Sequence, residues 1–293
     1  MAAPRLFCFG LGYSALELAR GLLAEGWSVA GTCRNEEHQA QATEAGADAV
    51  IFDGTRPFEN AESVLAGVSH ILSSVPPGPD GDPVVTAHGD ILHSLNDVTW
   101  AGYLSTTGVY GDTGGATVDE TAPVNPGSDR SRDRADAEQA WLALRQQAGL
   151  PVHVFRLAGI YGPGRSALDQ VRAGGARRID KPGHKFSRIH VSDIAGVLRA
   201  SMARSDPGAI YNVCDDEAAA AADITAFACE LLGIDPPPLV PFGEAAEDMS
   251  PMALSFWNDN RIVDNRRIKR ELAMSFEYPT YREGLRSILA AET

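Results

Sequence analysis

The chain has 293 residues, 44% of them hydrophobic and 22% charged, with a formal net charge of −14 at pH 7. These proportions are those of an ordinary folded protein and exclude disorder, and the length fits one large domain or one domain carrying a smaller one. The acidity disfavours nucleic acid and anionic membrane surfaces. Cys8, Cys33, Cys214 and Cys229 form no CxxC pair and no metal motif, and no apolar window approaches the ~18 residues of a membrane span. A cytoplasmic location is expected.

Along the chain, "LFCF" followed by "GLGYSALELARGLLAEG" predicts a buried strand, a glycine turn and a helix with apolar positions at Leu16, Ala19, Leu22 and Leu23. Strands are predicted at 28–32, 48–52, 69–74, 100–106 and 151–157, each separated from the next by enough chain for a crossover. This alternation implies an α/β fold with a doubly wound parallel sheet. After Leu157 glycine and proline punctuate "AGIYGPGRS", and a smaller substrate-binding part is expected from about Gly162. The expected division is 1–162 for the nucleotide-binding domain, with 186–213 returning to it, and 163–185 plus 214–293 for the smaller C-terminal part. The late stretch "FWNDNRIVDNRRIKREL" carries apolar and basic residues at helical spacing and predicts a solvated helix covering that part.

Gly10-x-Gly12-x-x-Ala15 falls between the first strand and first helix. Backbone N–H groups and a helix N-terminus there can receive a pyrophosphate. Gly10, Leu11, Gly12, Tyr13 and Ser14 are therefore candidate cofactor-binding residues. The second strand ends in Gly31-Thr32-Cys33-Arg34-Asn35 with no carboxylate to hold an unphosphorylated ribose, and Arg34 can pair with a 2′-phosphate. NADP is favoured over NAD. Asp53, after the third strand, is placed for an adenine contact, and Ser73, Ser74 and Val75, after the fourth, for the nicotinamide ribose.

At "LSTTGVYGD" (104–112), "LAGIYGPG" (157–164), "RIHVSDIA" (188–195) and "YNVCDD" (211–216), together with the glycine turn, the chain resembles the extended short-chain dehydrogenase/reductase family. "YPTYREGL" (278–285) is similar to its atypical subgroup of NAD(P)-dependent epimerase/dehydratase-like proteins, whose members commonly lack the full catalytic set. The resemblance implies a Rossmann domain and an oxidoreductase or epimerase/dehydratase, frequently dimeric through the helices flanking "VYG" and the following arginine-rich stretch. It places a substrate-binding hydroxyl on Thr106 and an acidic residue at Asp82, with Asp90 as the alternative.

The family's Tyr-x-x-x-Lys pair, aligned through Glu138 in "SDRSRDRADAE", falls on Arg130 and Arg134. Arginine cannot exchange the proton that tyrosine carries. The spacing 130, 134, 137, 141, 144, 148 predicts that both arginines extend the buried face of a helix toward a cleft. Arg134 is then a candidate for the nicotinamide ribose and Arg130 for an anionic substrate. Tyr110 is the most direct chemical replacement for the lost phenol. Tyr161, Arg165, Arg188 and His190 are further candidates for the substrate side. Two functions are compatible with this pattern: an NADP-dependent enzyme acting on a polar, anionic small molecule through a non-standard acid, or a catalytically silent NADP(H)-binding sensor or partner-binding protein.

Overall fold

A computed structural model describes residues 3–292. The elements in chain order are β1 (Arg5–Phe9), α1 (Tyr13–Ala24), β2 (Ser28–Cys33), α2 (Glu36–Glu44), β3 (Asp48–Ile51), α3 (Ala61–Leu65), β4 (His70–Ser73), α4 (Pro83–Ser94) and β5 (Trp100–Thr106). Then follow a 3-10 turn (Thr107–Tyr110), β6 (Thr117–Val118), α5 (Asp129–Ala148), β7 (Val152–Leu157), β8 (Gly159–Tyr161), α6 (Ala167–Arg172), β9 (Arg178–Asp180), β10 (Arg188–His190), α7 (Val191–Ala203) and β11 (Ile210–Val213). The C-terminal elements are α8 (Ala221–Leu232), β12 (Leu239–Pro241), α9 (Phe242–Glu247), α10 (Pro251–Asn258), β13 (Ile262–Val263), α11 (Arg266–Glu271) and α12 (Tyr281–Ala291).

Seven strands form a parallel sheet in the order β11-β7-β5-β4-β1-β2-β3. The strands of its centre read as continuous apolar runs because both faces are covered. One face packs on α1 and α7 through Leu18, Leu22, Ile194 and Leu198, the other on α4 and α5 through Val84, Leu92, Trp141 and Leu144. Chain order reverses between β1, which continues to β2, and β4, which continues to β5, so a crevice opens beyond the carboxyl ends of these strands. The fold is the expected doubly wound α/β sheet. Residues 210–213 pair with β7 at the sheet edge, whereas β10 pairs with β8 outside it. A separate small core joins Tyr161, Leu168, Ile224, Tyr281, Leu285 and Ile288 from β8, α6, α8 and α12.

The helix expected from "FWNDNRIVDNRRIKREL" is broken in two. Asp259 and Asn260 end α10, and Ile262–Val263 instead adds to β6 as a short parallel pair. Asn260 accounts for the break: its backbone N–H donates to Asp112 Oδ1 (2.9 Å), and its carbonyl accepts from the N–H groups of Thr113 (3.2 Å) and Gly115 (2.8 Å). A continuous helix would have to forgo these bonds. All four cysteines are buried and free, and no helix among the described residues is long and apolar enough to cross a membrane.

Candidate active site

The turn after β1 is built around contacts a side chain would destroy. Gly10 has φ +88°, and a Cβ on it would stand 2.8 Å from Ser74 Oγ, which donates to the Gly10 carbonyl at 2.6 Å. Its N–H donates to Thr32 Oγ1 (2.8 Å) and that of Leu11 to the Thr32 carbonyl (2.7 Å), so β2 fixes the turn from the other side. Gly12 is the N-cap of α1, has no side-chain cap and is exposed, and a Cβ on it would meet nothing within 4 Å. The first N–H groups of the helix therefore face an open approach.

A cavity of about 480 Å³ runs from this turn along the strand ends. Of the sequence candidates it gathers Gly12, Tyr13, Ser14, Ser74, Thr106, Arg130, Arg134, Arg165 and Arg188. Arg34 lies exposed at the end of β2, without a partner among the described residues. Asp53 is exposed, and the Thr55 N–H and hydroxyl donate to its carboxylate, holding it below the usual carboxylate range. Gly10 and Leu11 shape the turn from behind, and Val75 packs partly into the core. Ser73 departs from expectation: strand alternation turns it inward, fully buried, and its hydroxyl has no partner.

The two proton-carrier candidates also sit elsewhere. Tyr110 is 2% exposed and does not line the cavity; its hydroxyl donates to Asn212 Oδ1 (2.7 Å) and accepts from Arg156 (2.9 Å). Burial raises its pKa. Behind it Arg156 pairs with Glu138 at 2.7 Å, both side chains almost completely enclosed, and Ser105 Oγ donates to Glu138 at 2.5 Å. Asp82 caps α4, accepting from the N–H groups of Val84 (2.9 Å) and Val85 (3.0 Å) and from the Trp141 indole (3.0 Å). Its buried carboxyl acts as an N-cap, a residue type and place that "DP" at a helix start signals.

Thr106, at the end of β5, does reach the cavity, and its Oγ accepts from the Gly108 N–H (3.1 Å) while its own proton is free to donate. Arg134 donates to the Leu104 carbonyl (2.8 Å) and the Tyr103 hydroxyl (3.3 Å). Arg130 is exposed rather than on the buried face, because the core face of α5 starts only at Ala137. It nonetheless lines the cavity one turn before Arg134. His190 is N-cap to α7, accepting from the Ser192 N–H at 3.3 Å, and burial between Tyr161 and Tyr278 pushes its pKa down to about 4. Tyr161 donates to the Thr280 carbonyl (3.4 Å) and burial raises its pKa.

Arg188 is the unusual group. It lines the first cavity and also a second, of about 740 Å³, walled by Tyr161, Ile179, Ile224, Trp257 and Tyr281. Its guanidinium donates only to the Phe186 carbonyl (3.1 Å) and forms no salt bridge among the described residues. Desolvation pushes its pKa down to about 10. Asp215, whose N–H donates to the Arg188 carbonyl at 2.6 Å, is the charge opposing that shift, yet its own buried carboxyl is driven up to about 8 and its Oδ2 has no partner. Sequence reasoning missed Lys185, Arg261 and Asp259, which also line the first cavity, the last two as an ion pair at 3.0 Å. They lie in segments whose approach to the cleft depends on the β13–β6 pairing. Arginines 130, 134, 165, 188 and 261 and Lys185 thus face one another across the cavity, with Asp259 its only carboxylate among the described residues.

A seven-stranded parallel sheet with a glycine turn at its switch point and a Ser-Thr strand end in the crevice defines a Rossmann-type α/β protein. The model of the NAD dependent epimerase/dehydratase family matches residues 85–214 of the chain. It is 49% identical to a functionally unknown conserved protein from Silicibacter pomeroyi DSS, with a TM-score of 0.91 over 99% of both chains. It is 27% identical to Protein YeeZ of Escherichia coli (strain K12), over 92% of this chain and 94% of that one. A dTDP-glucose 4,6-dehydratase from Bacillus anthracis str. Ames, solved in complex with NAD, shares the fold at TM-score 0.79 and 18% identity, covering 99% of this chain and 96% of that one.

Proposed function

We propose that the chain is an NADP-binding short-chain dehydrogenase/reductase-like protein acting as an oxidoreductase or epimerase/dehydratase on a polar, anionic small molecule. The observation that carries the substrate class is Arg188: a desolvated guanidinium with one hydrogen bond and no salt bridge among the described residues, lining two cavities. A buried cation is stable when paired, and a bound carboxylate or phosphate supplies the partner that the chain itself withholds. Arg130 and Arg165 add charge at the same cleft.

The residues of the glycine turn fit a dinucleotide. Gly12 leaves room for a pyrophosphate against the uncapped start of α1, Tyr13, Ser14 and Ser74 flank it, and Arg34 is free to meet a 2′-phosphate. When bound, a nicotinamide supplies or accepts hydride at the substrate carbon. Thr106 would orient the substrate oxygen, and Arg134, tied to Leu104, would hold the ribose side of the cleft.

Titration with NADPH and NADH separately tests the cofactor assignment. A preference for NADPH that Arg34→Ala abolishes is the expected result; equal affinities, or an unchanged preference in the variant, would remove it. The engagement of Tyr110 and Asp82 in structural bonds favours a second reading, a silent NADP(H)-binding sensor, which NADPH oxidation by a carbonyl substrate would eliminate.

A further inference from the structure

The first cavity poses a chemical problem, because five of its six cations are arginines and cannot give up a proton at any ordinary pH. Of the other ionisable groups lining it, Asp259 is tied to Arg261 at 3.0 Å, and Tyr13 stands on the glycine turn donating to the Pro163 carbonyl at 3.0 Å. Lys185 remains. The chain contains only three lysines. Lys181 Nζ donates to the Trp257 carbonyl and Lys269 Nζ to Asp216, whereas Lys185 Nζ has neither hydrogen bond nor ion pair among the described residues.

The placement of Lys185 is fixed through its backbone. Its N–H donates to Asn260 Oδ1 (3.3 Å), while Asn260 Nδ2 donates to the Gly183 carbonyl (3.1 Å), so one side chain clamps the 183–185 loop. Three residues later Arg188 pairs with Gly159, directly after the β7 end that pairs with Thr106 through Leu157. The loop thus leads into β10 beside β8, and Lys185 lines the same cavity as Thr106.

We propose that Lys185 is the proton donor that takes the place of the absent tyrosine, an inference that rests on the oxidoreductase reading above. In the reductive direction, with a reduced nicotinamide dinucleotide as the hydride source, the substrate carbonyl carbon accepts hydride and the C=O π pair moves onto oxygen. That oxygen takes a proton from the Lys185 ammonium, leaving a neutral amine that regains its proton from water. The product is an alcohol and the dinucleotide is left oxidised; in the reverse direction the amine removes the hydroxyl proton.

Two measurements on the full chain decide this. Pyridoxal 5′-phosphate, an anionic aldehyde, is added, the imine is reduced with borohydride and the modified lysine is mapped by mass spectrometry. Modification centred on Lys185 is expected. Lys185→Arg, which keeps the charge and loses the exchangeable proton, is then assayed for NADPH oxidation across a panel of 2-oxo acids. Turnover is expected to fall by about 10²-fold or more, with NADPH binding unchanged. Modification of Lys181 or Lys269 in place of Lys185 would overturn the placement. Retained turnover in Lys185→Arg would reduce the residue to a binding charge and overturn the proton transfer. If the wild-type protein is modified at Lys185 yet oxidises NADPH with none of the panel, the oxidoreductase reading itself fails, and the proton-transfer role falls with it.

Discussion

Replacing Asp215 by asparagine should change how the stability of the protein depends on pH. In the folded chain burial lifts the Asp215 carboxyl from 3.8 to about 8, against the opposing pull of Arg188 and with the help of Asp216 and Glu217. A raised carboxylate pKa means that the folded state holds a proton which the unfolded chain has already lost. The contribution to stability is full below pH ~4 and declines as pH rises toward the folded value near 8. Between these limits the slope is about −1.4 kcal/mol per pH unit. The asparagine amide cannot titrate, so the wild-type protein should lose roughly 2.7 kcal/mol relative to Asp215→Asn between pH 5 and pH 7. An unfolding entropy of about 2.1 cal/mol/K per residue converts this to about 4 °C for a chain of this length. Thermal unfolding of both proteins, followed by calorimetry in matched buffers at pH 5, 6, 7 and 8, measures it. Parallel Tm curves would mean that Asp215 is ionised throughout, already paired with Arg188, and would refute the picture of an unpaired guanidinium awaiting an anion.

Two further substitutions test the structural assignments behind the site. Glu138→Ala strands the Arg156 guanidinium in the core and should cost about 3–5 kcal/mol, measurable by urea unfolding. Tyr110→Phe removes the hydroxyl shared with Asn212 and Arg156, and should cost about 1–3 kcal/mol while leaving kcat within about threefold. A 10²-fold loss of kcat in that variant would restore Tyr110 as the acid.

Much of the fold was legible because periodicity and glycine placement are local. The apolar run before Gly10, the Ala15 packing position and the alternating strands follow from neighbouring residues alone, as does Thr106 at a strand end. What escaped depends on distant partners. Asp82 is chemically an acid on paper; its capping bonds to Val84 and Val85 are local and signalled by the proline after it, but the Trp141 indole that also engages its carboxyl lies far along the chain. Tyr110 becomes a structural residue because Arg156 and Asn212, far along the chain, meet it from behind. The "WNDNRIV" segment has helical spacing but strand pairing, since β6 offers a partner that no window of sequence contains. Lys185 shows no motif at all; its significance comes from the other lysines being engaged and from Asn260 holding its loop.

The Tyr13 hydroxyl donates across to Pro163, and the Arg165 guanidinium sits 5.8 Å from the centre of the same ring. One phenol thus ties the glycine turn to the loop after β8, and both segments line the cleft. On the dinucleotide reading proposed above, release of the bound molecule would require this tie to open, so its residence time would depend on residue 13. Tyr13→Phe should quicken dissociation of NADPH in stopped-flow displacement while leaving its association rate nearly unchanged.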